Sequence, residues 1–257
     1  MTETASRNAG FRLDHIVIAV ADLDAAIADY RKLGFTVYPG GTHHGGASHN
    51  ALVVFTDGSY FELIAYLKPS PEARWWKLLS SAGEGFVDFA LLPENAVRDA
   101  TAARARGLEI DGPTDGGRLR TDGIRLDWQI VRPRSTDLPF WCGDVTPRAL
   151  RVPEGDMRRH DNGVTGISRV VVAVADLSAS KARYKALLGS EPKAAAGDAA
   201  LVTIGDFVVD LLGPGNAAAR NAVDQRGEGP IAVILHGRTS RHLTPALSHG
   251  AKLSIAP

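Results

Sequence analysis

The chain has 257 residues, 44% of them hydrophobic, with 29 lysines and arginines balanced by 29 aspartates and glutamates. That length predicts one or two domains with a substantial core, and the charge balance offers no broad field for nucleic acid or an anionic membrane surface. A lone Cys142 excludes an internal disulfide framework. The polar start reads against a signal peptide, and no stretch reaches the ~18 apolar residues of a membrane span, so a soluble cytoplasmic protein is expected.

Residues 12–20 alternate and predict a strand. Asp22 or Asp24 can cap a helix at about 24–33, which Gly34 ends. Residues 35–38 read as a short strand. Residues 39–48, rich in glycine and histidine, read as a mobile loop over a pocket mouth. Strands at 50–55 and 59–67 flank the turn signal Asp57-Gly58, giving the order β-α-β-β-β. A linker carries Arg74-Trp75-Trp76 on a short helix.

A fainter second unit follows: strand 86–92, helix 94–106, short strand 108–110, then Arg118-Leu119-Arg120, a turn at Asp122-Gly123 and strand 124–131. The expected domains are 1–137, a connector over 138–163 that holds Pro139-Phe140-Trp141, and 164–257. The last contains strand 166–174, helix 178–188 and strands near 199–204 and 206–212. A fourth unit begins at 230–235, with a helix after it, and the chain ends before its last two strands.

One strand comes twice. Leu13-Asp14-His15-Ile16-Val17-Ile18-Ala19-Val20-Ala21-Asp22-Leu23 returns as Ile167-Ser168-Arg169-Val170-Val171-Val172-Ala173-Val174-Ala175-Asp176-Leu177, the mark of a duplicated unit. Each copy runs into a helix with a tyrosine at the same offset, Tyr30 and Tyr184. Aligning Phe61-Glu62-Leu63-Ile64 with Val209-Asp210-Leu211-Leu212 sets Asp210 opposite Glu62, and Arg169 stands opposite His15. Arginine cannot ligate a cation, so an Arg169–Asp210 ion pair and a structural second domain are expected.

These repeats, with His49-Asn50-Ala51-Leu52-Val53-Val54-Phe55, Asp57-Gly58-Ser59-Tyr60-Phe61-Glu62, Leu138-Pro139-Phe140-Trp141 and His160-Asp161-Asn162-Gly163-Val164-Thr165-Gly166, resemble the vicinal oxygen chelate superfamily, in its glyoxalase-like domain branch. The resemblance runs over residues 13–177. It implies an α+β fold of repeated βαβββ units, paired into a cupped, incomplete barrel around a divalent metal, in two tandem domains of which the second is degenerate and truncated. Members include lyases, isomerases, dioxygenases, epimerases and metal-free drug-sequestering proteins, so the fold leaves the reaction open.

His15 and Glu62 fall on one face each of neighbouring strands and are expected side by side. A carboxylate in so apolar a strand is costly to bury alone. A divalent iron, manganese or zinc ion would offset that cost; the competing reading is a His15–Glu62 hydrogen bond without metal. His49 is the expected third ligand and, with Glu62, the expected proton carrier. The second unit has Asp88-Phe89 where histidine is expected and Asp127-Trp128-Gln129 where glutamate is expected, so Asp127 or Gln129 ligates only if the register shifts by one. His43 and His44 read as exposed or as part of a lid. Trp75, Trp128, Phe140, Trp141 and His160 are candidates for binding substrate, against ordinary packing for each aromatic ring and a turn role for His160. Arg118, Arg120, Arg125, Arg132 and Arg134 read as a solvated sheet face or as a grip on an anionic substrate. No phosphate-cradling or dinucleotide motif is present.

The expected function is a metal-dependent enzyme that chelates two adjacent oxygens of a small organic molecule, of isomerase, lyase or dioxygenase type. The alternative is metal-free sequestration of an aromatic compound. The expected partners are a small-molecule substrate and a second copy covering the open sheet edge.

Overall fold

A computed structural model describes residues 10–257. The polar N-terminal stretch read against a signal peptide lies outside the described residues. Among the described residues no helix is long and apolar enough to cross a membrane.

The first unit comprises β1 (Arg12–Ala19), α1 (Leu23–Lys32), β2 (Tyr38–His43), β3 (Ser48–Val54) and β4 (Tyr60–Tyr66). Helix α2 (Arg74–Ala82) leads to the second unit: β5 (Gly85–Leu92), α3 (Ala96–Ala105), β6 (Ile110–Leu119), β7 (Arg125–Pro133) and β8 (Phe140–Asp144). The eight strands form a barrel in the order β1-β4-β3-β2-β6-β7-β8-β5. Helix α4 (Arg148–Arg151) and a 3-10 turn at Gly155–Arg158 follow. The rest is β9 (Gly166–Ala173), α5 (Leu177–Leu188), β10 (Lys193–Ala195), β11 (Ala199–Ile204), β12 (Phe207–Leu212), α6 (Ala217–Arg226), β13 (Gly229–His236), β14 (Arg241–His242) and β15 (Leu253–Ala256). These strands make an open sheet in the order β10-β11-β12-β9-β13-β15-β14.

Four expectations change. The barrel is closed, because β2 pairs with β6, Thr42 opposite Leu119 and His43 opposite Arg118. Residues 39–48 are therefore mostly strand with a short turn over 44–47, not a loose lid. Glycine permits this closure: a Cβ on Gly41 (φ +137) would lie 2.1 Å from the Leu119 carbonyl oxygen. Strand β8, which completes the second unit, lies inside the stretch read as connector. The helix expected after residue 235 does not form; α6 precedes β13, and β15 runs parallel to it.

Alternation along the strands divides two cores. Ile16, Ile18, Phe61 and Phe89 on the outside of the barrel merge with Val170, Val172, Val209 and Val233 of the open sheet into one cluster. Val17, Ala19, Val87, Ala90 and Leu126 form a smaller cluster on the inside. The duplication is visible in equivalent contacts. Asp22 caps α1 by accepting from the Ala25 N–H, and Asp176 caps α5 by accepting from the Ala179 N–H. The buried Tyr30 hydroxyl donates to the Ser248 carbonyl, and the buried Tyr184 hydroxyl donates to the Asp137 carbonyl. Each tyrosine thus ties one half of the chain to the other. The expected Arg169–Asp210 ion pair is present.

Candidate functional site

A cavity of about 560 Å³ occupies the barrel interior. Near Tyr60 it is closed by α4. Arg151 donates to the Tyr60 hydroxyl at 2.6 Å and to Asp14 at 2.8 and 3.1 Å. Arg148 bonds Asp14 and the Gly58 carbonyl, and both arginines bond Asp144. Trp75 of α2, Trp128 and Phe140 give the wall its aromatic area.

His15 and Asp14 both face inward although they are sequence neighbours. A β-bulge between Leu13 and His15 in the β1–β5 ladder accounts for this; Leu13 packs in the outer core. The His15 Nδ1–H donates to Asp14 at 2.7 Å, which fixes the ring and aims Nε2 at Glu62, 3.4 Å from Oε2. On the other side of the carboxylate, His43 Nε2 lies 3.2 Å from Oε1. The Asn50 amide donates to the same Oε1 at 2.6 Å. Two imidazoles therefore converge on the two oxygens of one buried carboxylate.

Burial acts against the charged form of each group, and the neighbours outweigh it. Arg151 and Arg148 hold Asp14 well below the usual carboxylate range. The contacts with His15 and His43 do the same for Glu62. Hydrogen bonds to Asp14 and Glu62 raise His15 above the ordinary imidazole value. Asp88 differs: burial raises it, and Arg74 and Trp75, which both donate to Oδ2 at 3.0 Å, offset only part of the rise.

The second unit's equivalents follow from strand register. On the parallel β1–β4 pair Val17 lies beside Glu62, and on the parallel β5–β8 pair Ala90 lies beside Phe140. Asp88 thus occupies the place of His15, and Phe140 that of Glu62. Asp127 and Gln129 lie on β7, which corresponds to β3 and not to the glutamate strand. Their inward neighbours are Leu126, Trp128 and Ile130, and Asp127 instead pairs with Arg125.

His15, Glu62, Trp75, Trp128 and Phe140 all line the cavity. His49, Trp141 and His160 do not. His49 has the opposite facing from Ser48, Asn50 and Leu52, because side chains alternate along β3. Trp141 is fully buried in the outer core, 4.8 Å from Phe11 between ring centroids. His160 accepts from the Thr36 N–H at 3.0 Å and packs edge-on against Phe35 and Phe55. It holds the connector against the turn after α1.

His43 takes the place expected for His49. Its strand was illegible because Pro39, Gly40 and Gly41 carry no apolar alternation. Asn50 was also missed as a site residue, and Arg118, one of the arginines read as a solvated sheet face or a grip on an anionic substrate, is buried and lines the cavity. Arg118 donates to the Asn50 carbonyl oxygen at 3.3 Å, so the amide links the guanidinium to Glu62. Gly40 is the one hint in the sequence: a Cβ there would lie 2.0 Å from the Asn50 oxygen and 2.4 Å from Arg118 Nη1.

Two imidazoles and a carboxylate form a donor set suited to iron, manganese or zinc. With metal–ligand bonds of about 2.0–2.2 Å, neighbouring donors stand about 3.0–3.4 Å apart, and the separations here are 3.4 and 3.2 Å. The set fits in donor type, and the two contacts to Glu62 fall in that range. Among the described residues no group of three His, Cys, Asp or Glu side chains is placed to hold a metal ion; in this cluster the histidines contact the Glu62 carboxylate directly.

A barrel of paired βαβββ units, with histidine on a first strand and glutamate on the fourth, defines the vicinal oxygen chelate class. A family model described as a glyoxalase-like domain matches residues 13–188, and the chain belongs to that family. No curated protein sequence is detectably similar. Among solved structures, a hypothetical protein from Staphylococcus aureus aligns with a TM-score of 0.76 at 14% identity, over 96% of this chain and 99% of that one. A mutant 4-hydroxymandelate synthase from Streptomyces coelicolor aligns at 0.62 and 13% identity, over 88% and 71%. A xylose isomerase-like TIM barrel/4-hydroxyphenylpyruvate dioxygenase fusion protein aligns at 0.57 and 16% identity, over 91% and 38%. At these identities the likeness is one of fold.

Proposed function

We propose that the chain is a metal-dependent enzyme acting on a small oxygenated organic molecule inside the barrel, with His15, His43 and Glu62 holding a divalent iron, manganese or zinc ion. The observation that carries this reading is the convergence of His15 and His43 on the two oxygens of buried Glu62. When bound, such an ion supplies Lewis-acid polarisation of two adjacent substrate oxygens. Asp14 keeps His15 in one tautomer and orientation. Asn50 keeps Glu62 turned toward the histidines. Trp75, Trp128 and Phe140 exclude water from one wall.

The second reading is metal-free sequestration of an aromatic compound. It is favoured by the hydrogen bonds that already satisfy Glu62 and by the aromatic wall. Elemental analysis of protein purified without chelator tests the choice. A stoichiometric ion that His43→Ala abolishes supports the enzyme. A metal-free protein that takes up no added iron, manganese or zinc rejects it.

A further inference from the structure

Arginines outnumber carboxylates in the cavity lining, and most are already paired. Arg74 is bound to Asp88, Arg134 to Asp111, and Arg151 to Asp14 and Asp144. Arg118 is different. It is 3% exposed, lines the cavity and forms no ion pair among the described residues. Its named acceptors are two neutral oxygens, the Asn50 side-chain carbonyl at 3.3 Å and the Arg151 main-chain carbonyl at 3.1 Å. A buried guanidinium without a counter-charge is costly, and burial lowers its pKa accordingly.

The surrounding charges do not remove the imbalance. Arg148 and Arg151 are matched by Asp14 and Asp144. Glu62 acts on Arg118 from a distance, but its oxygens are bonded by His15, His43 and Asn50 and no ion pair joins the two. A divalent cation on Glu62 would make the interior more positive still. Arg118 therefore keeps a positive charge with no carboxylate bound to it, in the cavity that Trp75, Trp128 and Phe140 line. Arg132, which also lacks an ion pair among the described residues, lies over the Trp75 and Phe140 rings at 5.4 and 5.1 Å and places a further positive charge at the mouth.

We infer that the cavity binds a monoanionic, ring-bearing carboxylic acid, its carboxylate on Arg118 and its planar body against Trp128, Trp75 and Phe140. The planar guanidinium fork matches a carboxylate, and one buried guanidinium without an ion pair matches one carboxylate. This deepens the proposed function by naming the substrate class of the same cavity, and it rests on that cavity being the substrate site.

Calorimetric titration with benzoate and its uncharged counterpart benzamide tests it, on the whole protein with its metal content measured in parallel. Benzoate should bind at least about tenfold tighter than benzamide. Arg118→Met should abolish that preference, and Arg118→Lys should keep part of it. Arg134→Met, which removes an arginine already paired outside, should leave it intact. Should Arg118→Met fail to fold, the wild-type contrast and Arg118→Lys decide. Equal affinity for acid and amide, a preference that survives loss of Arg118, or no benzoate uptake up to about 10 mM each overturn the inference. A metal-free protein that binds benzoate through Arg118 removes the metalloenzyme reading and leaves this one standing. Stoichiometric metal with no acid preference does the reverse.

Discussion

Arg169 donates to Asp210 across 2.8 Å at the register that His15 and Glu62 occupy in the first unit: Arg169 lies beside Val208 as His15 lies beside Tyr60. The second sheet thus keeps the geometry of the site with an ion pair in place of the histidine–glutamate contact. The side chains are 40% and 18% exposed, so solvent screens the pair. Arg169→Met and Asp210→Leu should each cost no more than ~1 kcal/mol, with coupling of the same size or less. The ~3–5 kcal/mol of a deeply buried pair does not apply. Urea unfolding of the two single mutants and the double mutant checks this, and metal content should be unchanged in all three.

His43 and His49 lie on adjacent strands and face opposite ways. His43→Ala should remove metal and activity, whereas His49→Ala should keep both. Asn50→Ala, which frees the Glu62 carboxylate to rotate, should weaken metal affinity by about 10–100-fold. Metal titrations of the three variants discriminate, and a metal-depleted His49→Ala protein would contradict the assigned facing of β3.

Trp128 and Trp141 separate binding from folding. Trp141 is fully buried between barrel and sheet, so Trp141→Ala should destabilise by about 3–5 kcal/mol. Trp128 lines the cavity and meets His43 edge-on at 6.3 Å. Trp128→Ala should weaken ligand binding more than it lowers the unfolding midpoint. Paired unfolding and ligand titrations give both numbers.

His160 carries a pH signature. Burial depresses its pKa, and its Nδ1 accepts from Thr36, which suits the neutral ring. Because the unfolded chain binds the proton more readily, this contribution is fully present above the unfolded value of about 6.5. It is lost as pH falls from there through the folded value. Wild-type protein should lose stability on acidification through this window, and His160→Gln should lose less. Chemical unfolding at successive pH values measures it; parallel curves for the two proteins would refute the assignment.

The repeat was legible in the chain because it is local. Apolar alternation, an aspartate cap at Asp22, and Tyr30 and Tyr184 at one offset marked the units, and the resemblance of phrases such as Asp57-Gly58-Ser59-Tyr60-Phe61-Glu62 marked the family. The same alignment placed Arg169 against Asp210, since equivalent strands keep equivalent registers. Pairing His15 with Glu62 needed only the strand order of the unit.

What the tertiary structure decided depends on contacts between distant segments. A bulge turns Asp14 inward beside His15, and alternation along the chain cannot show that. Barrel closure through β2 and β6 brings His43 to Glu62 and Arg118 to Asn50, and a strand built on Pro39, Gly40 and Gly41 has no apolar period to betray it. Phe140 and Trp141 are neighbours in sequence, yet one lines the cavity and the other fills the outer core. That difference is fixed only when β8 takes its place beside β5.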